Sequence, residues 1–457
     1  MSLRRAFHIV LSSLLTASAI VPAAHAATVA FVRVHVLPMD SERVLRDQTV
    51  IVEDGSIRAI GPNLRVPDDA QVIDGAGQAW LSPGLADMHT HSDSRQDMAV
   101  YLAHGVTTLL HMGEAPTAFA VKTRAAIERG ELPGPRVYAA FMVDGSNRYG
   151  HLAVRGAAQA RAVAELARAN GFDFIKIYND LDAPAFDALI AAGNDGGLKV
   201  IGHGLSAVGL ERQIAVGQAA VAHAEEFFYS WLFRPGDDDG IAVPDPARID
   251  AVVAALKRHG TYATADLATY AAVASQWGRA GATDAVLSQT QAGWLAPEER
   301  LEWRRRGDAY VARTGTLAPR LALLQRLVAA MAAADLPLMT GTDAPVVPGM
   351  FPGSALHAQL AALEAAGVSR YRALRAATRT PGDFIAQHRP GGDRFGRIAP
   401  GYRADLLLSA TDPLDDLATL AQPLGVMAQG RWYPRARLRE LTAQVADEYS
   451  NACARPR

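Results

Sequence analysis

Between residues 83 and 394 the chain alternates short apolar runs with alanine-rich amphipathic stretches, and this alternation restricts the fold more than any other feature. Such a repeat predicts parallel strands joined by crossover helices. Eight runs qualify as strands: 85–91, 105–112, 136–143, 172–179, 198–205, 219–227, 260–268 and 337–343. Helical stretches separate most of them, among them Ala157–Asn170, Ala183–Ala192 and Leu205–Val216. Eight strand–helix units predict an α/β fold of the (β/α)8 TIM-barrel type. The seventh and eighth runs lie about 70 residues apart and enclose the amphipathic stretches Pro297–Arg313 and Leu317–Ala334. That interval, roughly 270–335, reads equally well as an elongated helical connection or as a lid over the barrel mouth.

Both ends of the chain read differently. Val29–Val36 is an extended apolar run, and Thr49–Glu53, Asp54-Gly55 and Ser56–Ile60 form a hairpin signature. Near the other end Ala404–Ser409, Val426–Gln429 and Arg431–Tyr433 repeat the strand pattern. Neither end alone has enough strands to bury an apolar face, so the two are expected to pair. The predicted organisation is β-domain 27–82, barrel 83–394, β-domain 395–440 and a C-terminal tail 441–457. Together the two terminal pieces form a small composite β-sandwich.

Residues 1–26 read as a signal peptide. Arg4 and Arg5 precede an apolar core from Ile9 to Ile20, and Ala24-His25-Ala26 offers small residues before a cleavage site. The Arg4-Arg5 pair also resembles a twin-arginine signal. The expectation is export, to the periplasm or the medium, with no membrane association once the signal is removed. Forty-five basic residues against 47 acidic ones leave no basic excess for nucleic acid. The single cysteine, Cys453, excludes intrachain disulfides and cysteine-based metal sites.

The candidate chemistry lies at the strand ends. His89 and His91 sit in Pro83-Gly-Leu-Ala-Asp-Met-His-Thr-His91. Residues two apart on a strand point the same way, so both imidazoles can reach one metal. Lys176, His203, His223 and Asp343 fall near the C-terminal ends of four further strands, the face on which barrels build active sites.

These motifs resemble the amidohydrolase superfamily, in its imidazolonepropionase-like and prolidase-like branch with a binuclear metal centre. The resemblance rests on the Pro-Gly-Leu-Ala-Asp-x-His-x-His opening, Phe174-Ile-Lys-Ile-Tyr178, Gly341-Thr-Asp-Ala344 and Gly396-Arg-Ile-Ala-Pro-Gly-Tyr-Arg-Ala-Asp-Leu-Leu407. It implies that His89, His91 and Asp343 bind one divalent metal and that His203 and His223 bind a second. It also implies that Lys176 is N-carboxylated and bridges the two. A free ammonium between dications is no ligand, but neighbouring cations depress its pKa and the neutral amine can take up CO2. Nitrogen and carboxylate donors without thiolate suit zinc.

The expected reaction is cleavage of a C–N bond by a hydroxide held between the metals, with Asp343 moving the proton. The substrate is a small amide, best a dipeptide (prolidase-like) or an N-acyl amino acid; a homo-oligomer is compatible with the sequence. Tyr178, His151 and His111 are the candidate substrate contacts. Asp87 either orients a metal ligand from behind or acts as a buried capping carboxylate. Glu225 and Glu226 either select a cationic substrate or bond to loop backbone. Cyclic amides, lactones and phosphotriesters are alternative substrates. A dinucleotide-binding oxidoreductase is a different class of reading, on Gly202-His-Gly-Leu-Ser-Ala207 with Glu225 about 20 residues on.

Overall fold

The computed structural model describes residues 28–233, 236–389 and 391–454. The signal peptide expected over residues 1–26 lies outside them. Sixteen strands in two eight-stranded sheets organise the described chain.

The first strands are β1 (Val29–Val36), β2 (Leu45–Glu53), β3 (Ser56–Gly61), β4 (Gln71–Asp74) and β5 (Trp80–Pro83). The last are β14 (Leu406–Ser409), β15 (Gly425–Ala428) and β16 (Arg431–Pro434). They share one mixed sheet in the order β16-β15-β14-β5-β1-β2-β3, with β4 parallel to β1. The chain ends meet where β5 pairs antiparallel with β14, Trp80 opposite Ser409 and Pro83 opposite Leu406. Two hairpins have positive φ at both turn residues, Asp54-Gly55 and Gln429-Gly430, as a type I′ turn requires. The two turns also touch. A Cβ on Gly430 would lie 2.4 Å from the Gly55 Cα, so only glycine lets them pack. Buried Arg403 ties this sheet to the barrel, reaching Asp393, Asp405 and the Thr108 hydroxyl.

The barrel strands follow in sequence order: β6 (Leu85–Thr90), β7 (Val106–His111), β8 (Arg136–Val143), β9 (Phe174–Ile177), β10 (Val200–Gly202), β11 (Ala220–Val221), β12 (Tyr262–Thr264) and β13 (Leu338–Met339). Each pairs in parallel with the next. The ring closes between first and last through Met88 N–H to Thr340 O, 2.8 Å, and Asp343 N–H to His89 O, 2.7 Å. The Thr90 and Thr340 hydroxyls donate across the same seam, each at 2.8 Å, to Ala344 O and Ala86 O. The expected (β/α)8 barrel is therefore present. Its later strands are shorter than their apolar runs, because His223, Asp266 and Asp343 turn the chain out of the extended region with φ of 69°, 34° and 54°.

Phe174 and Ile201 stand two residues before Lys176 and His203, on the same faces. With Tyr138, Tyr262, Met339 and Phe384 they belong to one buried apolar cluster. This packed floor keeps the polar groups at the C-terminal rim.

Helices Leu267–Gln276, Pro297–Val311 and Ala318–Ala333 occupy the long interval before β13. Trp303, fully buried, packs on Phe351 at 4.8 Å and donates to Pro345 O at 2.6 Å. Arg306, one turn on, donates to Val346 O and lines the cavity over the strand ends. The interval is thus both a helical connection and a cover on the mouth. The stretch expected as a tail from 441 continues the helix Arg435–Ala454. Its Leu438, Leu441, Val445 and Tyr449 bury with Val100 and Leu102, and this apolar stripe is what orders it. Among the described residues no helix is long and apolar enough to cross a membrane.

Under this helix Asp97 is buried, and burial, reinforced by Asp93 and Glu299, pushes its carboxyl up to about 7. The unfolded chain releases that proton at the ordinary, lower aspartate value. Stability is therefore lost as pH rises from that value towards 7 and stays reduced above it. Asp97→Asn is expected to raise stability at pH 8 by on the order of 1–2 kcal/mol. The gain should shrink as pH falls towards 4. Thermal melts across that range check it; a gain independent of pH would contradict the assignment.

Candidate metal centre

Five of the eight barrel strand ends deliver groups to one place, and a sixth comes from β12. His89 lies on β6, with His91 just past its end. Lys176 lies on β9, His203 follows β10, His223 follows β11, Asp266 follows β12 and Asp343 follows β13. Asp343 Oδ1 stands 3.2 Å from both His89 Nε2 and His91 Nε2. Lys176 Nζ is 3.3 Å from His89 Nε2. The rings of His89 and His223 are 4.1 Å apart, and those of His203 and His223 are 5.0 Å apart. His223, Asp266 and Asp343 are all non-glycine residues at positive φ, a strained backbone that the surrounding contacts must hold.

Every imidazole has an acceptor behind it. His91 Nδ1 faces Gly113 O at 3.2 Å. His203 Nδ1 faces Glu226 Oε1 at 2.9 Å and Asn179 Oδ1 at 3.1 Å. Asp266 Oδ2 serves two rings, lying 2.7 Å from His223 Nδ1 and 3.5 Å from His89 Nδ1. A proton held on Nδ1 leaves the Nε2 lone pair for a cation, the arrangement metal-ligating histidines use. His203 Nε2 is buried with no hydrogen-bond partner among the described residues, as an inward-facing ligand atom would be without its ion.

The electrostatics agree with a cation site. Burial holds His89 and His203 well below the usual histidine value, so both rings are neutral. Burial lowers the Lys176 amine to about 8, while Asp343, Asp266, Glu114 and Glu226 limit the drop. His223 differs: burial lowers it, but Asp266 and Glu225 outweigh that and push it up to about 9. Burial raises the Asp343 carboxyl, but hydrogen bonds to His89 and His91 reverse this and hold it well below the ordinary range. The donor set of imidazoles and carboxylates without thiolate fits divalent metal, for which His223 would give up its extra proton. Two trios have ligand atoms all within 4.8 Å of one another: His89, His91 and Asp343, and His89, His223 and Asp266.

Asp266 is the group the sequence reading passed over. The signal for it existed, since it is an acidic residue at a barrel strand end, as Asp343 is. Glu226 resolves to the backbone-bonding alternative and more: Oε2 accepts from Gly204 N–H at 2.9 Å while Oε1 faces His203. Asp87 does not touch an imidazole. It accepts from His89 N–H at 3.2 Å and the Thr342 hydroxyl at 2.6 Å, so it is a buried brace across the barrel seam.

Of the expected substrate contacts, Tyr178 and His151 line the cavity above the site and His111 does not. Tyr178 packs on His203, ring centres 4.1 Å apart, and on His151 at 4.5 Å. His151 sits between Glu114, 3.4 Å, and Asp144, 3.5 Å. His111 is buried behind His91, its Nδ1 accepting from Gly113 N–H at 3.3 Å. It supports the loop that carries the His91 acceptor. The Gly202–Ala207 turn is not a phosphate cradle. Its Gly204 and Leu205 amides are consumed by Glu226 and Gln213, and the following helix starts only at Leu210.

No family model matches the chain. A deacetylase of Brucella anthropi is 40% identical over 75 residues, 15% of this chain and 18% of that relative. The match thus spans less than a fifth of the curated relative. Among solved structures, a bottromycin amidohydrolase superposes with a TM-score of 0.72 at 24% identity, over 92% of this chain and 90% of its own. A Xaa-Pro dipeptidase with methionine in its active site gives 0.62 at 19% identity, over 89% and 100%. At these identities the likeness shows the fold.

Proposed function

We propose, from the amidohydrolase-superfamily membership that these relatives and neighbours indicate, that the chain is a metal-dependent hydrolase of C–N bonds. Its substrate in this reading is a dipeptide or an N-acyl amino acid. The observation that carries the reading is the convergence of four imidazoles, each with an acceptor at Nδ1, on the Asp343 carboxylate and the Lys176 amine. Bound divalent ions, with zinc as the expected species, would supply Lewis acidity, lowering the pKa of a water and polarising a carbonyl.

His89, His91 and Asp343 would hold one ion and His203 and His223 the other, with Asp266 and Glu226 fixing the rings. Asp343, kept ionised by its histidine neighbours, is placed to accept a proton from the attacking water and return it to the departing nitrogen. A C–O bond forms, the C–N bond breaks, and the products are a carboxylic acid and an amine. Tyr178 keeps its hydroxyl proton because burial raises its pKa, so it can donate to the developing oxyanion.

Burial lowers the Lys176 amine to about 8, so part of it is unprotonated near neutral pH and could take up CO2 as a carbamate, which would offer carboxylate-like oxygens to the ions. Protein equilibrated with 13C-bicarbonate and metal is expected to show a carbamate carbon signal that Lys176→Ala lacks. Equal spectra for the two proteins would refute carboxylation. Export by the first 26 residues is part of the proposal, and N-terminal sequencing of secreted protein tests it.

The function itself is tested by metal analysis and by turnover of a panel of X-Pro and other dipeptides, N-acyl amino acids, a lactone and a phosphotriester. Two bound ions per chain and amide turnover are expected. Hydrolysis confined to the lactone or phosphotriester, or protein that binds no divalent metal, would overturn the reading.

A further inference from the structure

Two cavities meet at the centre, and their walls differ. Each is bordered by Tyr178, His203, His223 and Asp343. The first, about 290 Å³, adds Glu114, His151 and Arg306. The second, about 310 Å³, adds Glu225, Tyr229, Tyr270, Val273, Trp277 and Leu317. A small molecule whose scissile bond lies over Asp343 therefore has one half in each.

In the first cavity Arg306 is pre-positioned. Its Nε is held by Glu302 at 2.8 Å and Nη1 by Val346 O, which leaves Nη2 for a ligand. Glu302 also binds Arg305, at 2.7 and 3.0 Å, so the three side chains carry a net positive charge. A fixed guanidinium matches a carboxylate. Glu114, the other acid here outside the ligand set, is engaged with His151.

The second cavity has the opposite polarity. Glu225 is largely buried, and its Oε2 has no hydrogen-bond partner among the described residues. Arg320, the cation on that wall, is already taken by Asp238 at 2.7 Å and Gly240 O at 2.6 Å. Glu225 borders the cavity, and its Oε1 stands 4.0 Å from His223 Nδ1, too far for a hydrogen bond, so a ligand ammonium at the exposed edge of the carboxylate would pair with it. Beside it the Tyr229, Tyr270 and Trp277 rings with Val273 and Leu317 offer a place for a large apolar side chain.

We propose that the site selects dipeptides with both termini free: Arg306 reads the carboxylate and Glu225 the ammonium, with a bulky apolar N-terminal side chain among Tyr229, Tyr270 and Trp277. This rests on the proposed amide hydrolysis and chooses the dipeptide over the N-acyl amino acid.

The test compares Phe-Ala, N-acetyl-Phe-Ala, Phe-Ala-amide and Ala-Ala on the metal-loaded protein. Phe-Ala should have the highest kcat/KM. Arg306→Ala should reduce the Phe-Ala to Phe-Ala-amide preference by about 10–100-fold, the worth of a charge-assisted hydrogen bond. Arg306→Lys should restore part of it. Glu225→Gln should reduce the Phe-Ala to N-acetyl-Phe-Ala preference by a similar factor. Losses that strike free and blocked substrates equally would mean structural roles only and overturn the proposal. If the wild type hydrolyses none of the four, the proposed reaction fails; calorimetric Kd values for the same compounds then decide the recognition claim on their own.

Discussion

Asp343→Asn is expected to lower kcat by about 10³-fold, within the range set by loss of a positioned general acid–base. The amide keeps the volume and one acceptor oxygen of the carboxylate. It can still face His89 and His91, both 3.2 Å away in the native chain, but it takes no proton at any working pH. The loss should fall on kcat more than on KM, because the carboxylate acts on protons in flight. Steady-state kinetics on a hydrolysed dipeptide, with circular dichroism and metal content measured alongside, check the result. A variant within tenfold of wild type would remove Asp343 from proton transfer.

Asp266→Asn is the second large effect. One carboxylate stands behind two imidazoles, 2.7 Å from His223 and 3.5 Å from His89, so a single substitution weakens both ligands. Partners of this kind are worth about 10–100-fold in metal affinity each. The isosteric amide retains the Thr264 hydroxyl contact, 3.1 Å, that fixes the side chain, so the change removes charge rather than shape. Competition with a chromophoric chelator should show at least one ion bound about 10–100-fold more weakly. Unchanged affinity for both ions would reduce Asp266 to a structural residue.

The barrel and its rim were readable before the structure because strand alternation and helical amphipathicity are local properties of the chain. The run Phe172–Asn179 contains β9, and Val29–Val36 is β1 itself. The Asp54-Gly55 hairpin needed only its turn chemistry. Strand ends were overestimated where a site residue takes a left-handed conformation, since an apolar run such as Ala219–Phe227 does not reveal that His223 turns the chain. The Arg435–Ala454 helix was missed as an element because its apolar stripe has meaning only against Val100 and Leu102.

The site divides along the same line. Residue type and strand-end position, both written in the chain, singled out His89, His91, Lys176, His203, His223 and Asp343 as groups for one rim. Which atom of each ring faces inward, and what stands behind it, was decided by folding. Asp266 reaches back to His89 across 177 positions of sequence, and Glu226 reaches back 23 to His203. Arg306 enters the cavity from a helical excursion whose anchor is the burial of Trp303 on Phe351. Local periodicity determines what elements a chain forms. Hydrogen-bond partners and cavity walls depend on through-space proximity, and only the packed barrel creates it.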